Sequence, residues 1–238
     1  MTLLIFDCDG VLVDSEIIAL DGLAQMLAAL GRPIDRATCR RLFMGKSLKD
    51  VLAEIETMLG RPVPEDYGAK AYAALLARLR SELQPVEGVA AAIARLAWPR
   101  CVASSSQPDR ITLSLGVTNL APLFGERVFS ASEVNHGKPA PDLFLYAAAR
   151  CDSAPADCIV IEDSPAGIIA AGRAGMASIG FAGASHADHI LAEALAAAGA
   201  GVVVTAMADL PAAVETLRRT DGLALPDTQA LAGRGYAS

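Results

Sequence analysis

Between Val89 and Val204, short apolar runs alternate with stretches of helical spacing, and this alternation restricts the possible folds more than any other feature. The runs are Cys101-Val102-Ala103, Val128-Phe129-Ser130, Cys158-Ile159-Val160-Ile161, Ala177-Ser178-Ile179-Gly180 and Val202-Val203-Val204. Helical text fills the gaps: from Val89, from about Pro108, from Pro141, from Pro165 and in an Ala-rich stretch before Val202. Ser164 and Pro165 suit a helix cap and first helical position, and Gly175 suits the stop. One more apolar run, Leu3-Leu4-Ile5-Phe6, opens the chain and is too short for a core helix. Runs that are apolar on both faces fit parallel strands, and strand–helix alternation predicts a parallel sheet covered by helices on both sides.

One block breaks the rhythm. From Ser15 to Gln84 the text is helical without a convincing strand, with Ile17, Ile18, Leu20, Leu23, Met26, Leu27 and Leu30 at three- and four-residue spacing before Gly31. Further helices are predicted from about Arg36 to Leu59, interrupted near Gly45, and from Asp66 to Leu83. Pro85-Val86-Glu87-Gly88 then punctuates the chain. The expected organisation is a core of residues 1–14 and 85–238, with residues 15–84 inserted after the first strand as a cap. The polar end from Thr220 yields no assignment.

Composition narrows the partners. Hydrophobic residues are 53% and charged residues 20% of the 238, enough for a sizeable core and too apolar for disorder. With 27 acids against 20 bases the net charge is −7, which argues against nonspecific binding to nucleic acid or an anionic membrane. A small anionic substrate stays compatible, because a metal and one lysine reverse the sign locally. Cys8, Cys39, Cys101, Cys151 and Cys158 form no CxxC pair and read as small core residues in a reducing compartment. The first apolar run lacks a basic start, and Ala194–Ala208 is interrupted by Gly199-Ala200-Gly201, so a cytoplasmic protein is expected.

Ligands in open α/β sheets bind beyond the carboxyl ends of the strands, so those ends carry the chemistry. The first run leads into Asp7-Cys8-Asp9-Gly10, two carboxylates at alternate positions and hence on one face, followed by a glycine that frees neighbouring N–H groups to approach a ligand. Such a pair suits a nucleophile and metal ligand, Asp7, beside a protonated general acid, Asp9; it equally suits an Asp-rich turn. The next ends supply Ser104, with Ser105, Ser106 and Gln107 after it, then Glu162 and Asp163. Lys138 lies in Gly137-Lys138-Pro139-Ala140-Pro141-Asp142, where Pro139 restricts it to a stiff loop. Singly, each piece has a bland reading as a loop serine, a solvated lysine or an acidic helix start.

Together, Asp7-Cys8-Asp9-Gly10-Val11-Leu12-Val13-Asp14-Ser15, Ser104, Lys138 in its Gly-Lys-Pro-Ala-Pro-Asp context and Glu162-Asp163-Ser164 resemble the haloacid dehalogenase superfamily of phosphohydrolases. The likeness spans Leu3 to about Gly180 and points to the branch with a helical cap after the first motif, which holds beta-phosphoglucomutase-like and sugar-phosphatase-like proteins. It implies a Rossmann-like, doubly wound α/β fold and a cytoplasmic phosphatase acting on a small sugar, sugar-acid or polyol phosphate, as a monomer or weak homo-oligomer. By that resemblance Asp7 attacks phosphorus, Asp9 protonates the leaving oxygen and then activates water, Ser104 binds a phosphoryl oxygen, and Lys138 neutralises charge. Mg²⁺ is expected on Asp7, the backbone carbonyl of Asp9, and Asp163, with Glu162 acting directly or through water. A hard cation that keeps its water fits so few carboxylates plus phosphate oxygens.

Asp9 argues against dehalogenation, which needs no acid at that place, and against a phosphonatase, which uses a small residue there. A phosphomutase is the rival. By the resemblance it requires an arginine in the cap loop, where this chain reads Met44-Gly45-Lys46-Ser47-Leu48-Lys49, and often a histidine where Ala19 stands. Gly45 and Lys46 are expected near the substrate, with Gly10, Ser105, Ser106 and Gln107 near the phosphate. A phosphate-sensing relative without catalysis is expected to lack Asp7, Asp9 or Lys138. His136 has no assigned partner, and His186-Ala187-Asp188-His189, although metal-like in spacing, is expected to be a surface loop.

Overall fold

A computed structural model describes residues 1–43 and 48–220. Six strands form one parallel sheet: β1 (Leu3–Phe6), β2 (Arg100–Ser104), β3 (Val128–Ser130), β4 (Cys158–Glu162), β5 (Ala177–Phe181) and β6 (Val202–Val204). Their order is β3-β2-β1-β4-β5-β6, so the first strand is central and the winding reverses beside it. Register follows from pairs such as Ile5 with Cys101 on one side and Val160 on the other.

The strands alternate their side chains between two buried layers. Leu4, Phe6, Val102, Ile159, Ile161 and Ile179 face one layer. There they meet α5 (Val89–Ala94), α6 (Pro108–Val117) and α10 (Leu210–Thr220). Leu3, Ile5, Cys101, Ala103 and Val160 face the other, under α7 (Asp142–Arg150) and α8 (Pro165–Arg173). The α/β fold is therefore doubly wound. Ser164 caps α8 as its residue type suggests, its Oγ accepting from Gly167 N at 3.0 Å. The helix α10 is absent from the sequence reading, although Leu210, Ala213, Val214 and Leu217 sit at helical spacing and are buried. Before β6, α9 (His189–Ala197) covers the far edge.

Between β1 and α5 lie α1 (Glu16–Ala29), α2 (Arg36–Phe43), α3 (Leu48–Leu59) and α4 (Tyr67–Glu82). Leu20, Leu27, Cys39, Phe43 and Ile55 make a separate small core among them. The base of this helical block is stitched to the main core by Ile18, Leu79 and Leu83. Tyr72 of α4 donates to Asp109 Oδ1 of α6 at 2.6 Å, bridging cap and sheet domain. All five cysteines are free, and all but Cys151 are buried. Among the described residues no helix is long and apolar enough to cross a membrane.

Candidate active site

The winding reversal puts β1 and β4 side by side with their carboxyl ends open, where an α/β sheet leaves a crevice. Asp7 follows β1, and its N–H donates to Ile161 O at 2.9 Å, so the ladder continues into the site. Glu162 ends β4 and Asp163 follows it. Asp7, Glu162 and Asp163 are all buried and bring one oxygen each within 4.8 Å of one another.

Lys138 comes in from the loop before α7, through a cis Lys138–Pro139 peptide. Its side chain is 5% exposed. Nζ donates to Asp7 Oδ1 at 2.5 Å, to Glu162 Oε2 at 2.8 Å and to Ala103 O at 3.1 Å. Burial alone favours loss of its proton, but Asp7 and Glu162 outweigh that and hold it as ammonium. Glu162 has little left to offer: Oε1 accepts from Ser164 N and Oγ at 3.1 and 2.7 Å, and Oε2 from Lys138. Gly167 lies directly against it, since a Cβ there would come 2.1 Å from Glu162 Cδ. Burial raises the pKa of both Asp7 and Asp163 well above the carboxylate range, and the neighbouring acids add to it against one lysine.

Asp9 points elsewhere. Its Oδ1 accepts from Ser15 Oγ at 2.5 Å and from Arg110 Nη2 at 2.6 Å, and its Oδ2 from Ser106 Oγ at 2.6 Å. Burial opposes its charge, yet Arg110 and the two hydroxyls prevail and lower its pKa. The expectation of a protonated Asp9 therefore meets a charged Asp9 in this arrangement. Arg110 is absent from the sequence reading. It was findable as the nearest basic residue after Ser104-Ser105-Ser106, one helical turn into α6.

Ser104 is buried at the end of β2, its Oγ accepting from Ser106 N at 3.1 Å. A cavity of about 1330 Å³ opens between sheet and cap. Ser104, Ser105, Ser106, Gln107, Arg110 and Lys138 line its floor. Leu20, Leu23, Met26, Phe43 and Leu75 form part of its apolar roof, with Ala19 and Glu16 beside them.

Gly10 departs from expectation. It does not line the cavity, and its N–H is taken by Val13 O at 2.8 Å. With φ of 78° it adopts a backbone that side chains disfavour, and a Cβ would sit 1.8 Å from Asp163 Oδ2. His186 is likewise corrected: it is buried behind Asp163, not on a surface loop, while Asp188 and His189 are exposed. His136 is exposed and pairs with Asp142 Oδ1 at 3.0 Å. Gly45 and Lys46 lie outside the described residues.

Known proteins show the family. A family model described as haloacid dehalogenase-like hydrolase matches residues 1–175. The chain belongs to that family. It is 31% identical over 182 residues to 6-phosphogluconate phosphatase of Escherichia coli K12, covering 76% of this chain and 82% of the relative. A haloacid dehalogenase-like protein of Agrobacterium tumefaciens C58 superposes with a TM-score of 0.82 at 38% identity, over 91% of this chain and 99% of the other. A family hydrolase from Deinococcus radiodurans R1, solved with bound phosphate and sodium, gives 0.76 at 33% identity, over 95% and 98%. This haloacid dehalogenase-like chain is an enzyme of the phosphatase type, and three buried carboxylates in it could bind a metal.

Proposed function

We propose that the chain is a Mg²⁺-dependent phosphatase that hydrolyses a small sugar, sugar-acid or polyol phosphate through an aspartyl-phosphate on Asp7. The observation that carries this reading is one cavity floor holding Asp7 with its lysine on one side and Asp9 with its arginine on the other. The carboxylate cluster fits a divalent cation, because Asp7 and Asp163 are buried with raised pKa and have too few cations around them. Asp7, Asp163 and the Asp9 carbonyl would hold it, and when bound it supplies charge neutralisation at the phosphoryl oxygens.

The chain's own residues do the rest. Asp7 attacks phosphorus through a carboxylate oxygen, and Lys138 compensates negative charge that gathers around it. Ser104 and the serines after it donate to phosphoryl oxygens from the floor. Asp9, charged beside Arg110, is set as the base that draws a proton from water in the second step. Its acid step in the first half requires the Arg110 contact to loosen as substrate fills the cavity. Residues 15–84 act as the cap that excludes bulk water and selects the organic body. That part of the reading also draws on the relative that is a 6-phosphogluconate phosphatase.

The test is release of inorganic phosphate from a panel of sugar, sugar-acid and polyol phosphates with Mg²⁺ and no bisphosphate activator. Phosphate release that chelation stops and Asp7→Asn abolishes supports the proposal. Isomerisation of a hexose phosphate with little phosphate released overturns it in favour of a mutase.

A further inference from the structure

His186 stands in the loop between β5 and α9, with a side chain 1% exposed. Neither Nδ1 nor Nε2 has a hydrogen-bond partner. A buried polar group in that state costs about 1–3 kcal/mol, so an orphaned imidazole needs a physical reason to be kept. Nε2 lies 3.2 Å from Asp163 Oδ2, close enough to touch but not aligned to donate.

Three independent features aim the ring there. Gly10 leaves the space: a Cβ on it would come 1.8 Å from Asp163 Oδ2 and 2.9 Å from His186 Cε1. Ser185, the preceding residue, is tied to the first motif, its Oγ and N donating to Asp14 Oδ1 at 2.7 and 3.3 Å. Two residues later Asp188 starts α9, accepting from Ile190 N and Leu191 N at 3.0 Å each, and pairs with Arg40 of the cap at 3.0 Å. The loop is pinned on both sides of a buried histidine whose Nε2 faces Asp163.

We infer that His186 is a positioning residue for the metal-binding carboxylate: a small turn of the ring or the carboxylate on cation binding brings Nε2–H onto Asp163 Oδ2, 3.2 Å away, and so presents the other oxygen to the cation. This rests on the proposed divalent-cation site at Asp7 and Asp163. Hydrogen bonds of this outer kind fix the direction of a ligand's lone pairs, and removing one weakens metal affinity about 10–100-fold. The ring carries no bond to substrate and takes no part in the chemical steps.

Direct Mn²⁺ binding to the full chain, followed by electron paramagnetic resonance of the free ion, tests the inference without any turnover. The two informative variants are His186→Gln, whose terminal amide replaces Nε2–H, and His186→Asn, whose shorter amide reaches only the Nδ1 position. His186→Asn should raise the Mn²⁺ Kd about 10–100-fold, and His186→Gln should restore it to within about threefold of the parent. Equal affinity in all three proteins overturns the positioning role. Equal weakening in both variants overturns it too, since the donor's place would then be immaterial. A parent protein that binds no Mn²⁺ removes the cation site itself, a failure of the proposed function that is distinct from the other two.

Discussion

On the proposed reading Asp163 serves metal binding at the expense of the metal-free fold, and Asp163→Asn should expose that trade. The carboxylate is buried beside Glu162 with Asp7 close by, and its pKa is raised by burial first and by its acidic neighbours second. A raised folded pKa contributes stability below the unfolded value near 3.8, and that contribution is lost as pH rises through the folded value. At pH 7.5 the charged group is therefore a net cost. The amide keeps the shape without the charge, so in chelator the variant should be more stable by about 1–3 kcal/mol, comparable to other relieved buried charges. That corresponds to a Tm rise of roughly 2–4 °C per kcal/mol for a chain of this size. The gain should shrink towards zero as pH is lowered to about 4. Mg²⁺ offsets that advantage: at a hundredfold excess over Kd the parent should gain about 2.7 kcal/mol and the variant almost nothing. Thermal melts at pH 4.5, 6 and 7.5, with chelator or Mg²⁺, read all of this. A variant less stable than the parent at pH 7.5 in chelator, or a difference independent of pH, refutes the reasoning.

Lys138→Met leaves Asp7 and Glu162 buried without their cation, so the fold should lose about 3–5 kcal/mol in chemical denaturation and turnover should collapse. Arg110→Gln releases Asp9 from its strongest charge partner; the Asp9 pKa should rise, and the alkaline shift of the acidic limb of a pH–rate profile measures it. Asp9→Asn should cost about 10²–10⁴-fold in phosphate release from a substrate with a poor leaving group while Mn²⁺ still binds. Gly10→Ala forces a methyl group into Asp163 at positive φ, so Mn²⁺ affinity should fall together with stability, the backbone strain alone being about 1–2 kcal/mol.

The sheet was legible because its period is simple. Apolar runs such as Cys158–Ile161 and Val202–Val204 have buried neighbours on both faces, and nothing else of that length satisfies them. Asp7, Ser104, Glu162 and Asp163 could be assembled from sequence because a parallel sheet gathers all strand ends on one rim. Lys138 was legible through the prolines around it. What escaped came from the third dimension. Arg110 reaches Asp9 across 101 residues, and only its place just after Ser104-Ser105-Ser106 sets it apart from a solvated helix arginine. His186 looked exposed because its neighbours Ser185, Asp188 and His189 are polar; only the gap at Gly10 explains its burial. The ionisation of Asp9 depended on that same unseen arginine. The helix α10 carries a readable apolar stripe in Leu210, Ala213, Val214 and Leu217.

The position of β1 has a consequence for how such a chain is made. Leu3–Phe6 precedes both of its neighbours, Arg100–Ser104 and Cys158–Glu162, by some hundred residues or more. Until Cys158–Glu162 has been made, the buried strand Leu3–Phe6 has one open edge or two, the condition under which nascent chains aggregate or need chaperones. The helices between β1 and α5 can form early from local contacts, but Asp7 and Asp163 follow strands that pair at high sequence separation and correspondingly slowly. The proposed cation site therefore comes together only when β4 docks against β1, and a partly synthesised chain cannot carry half of it.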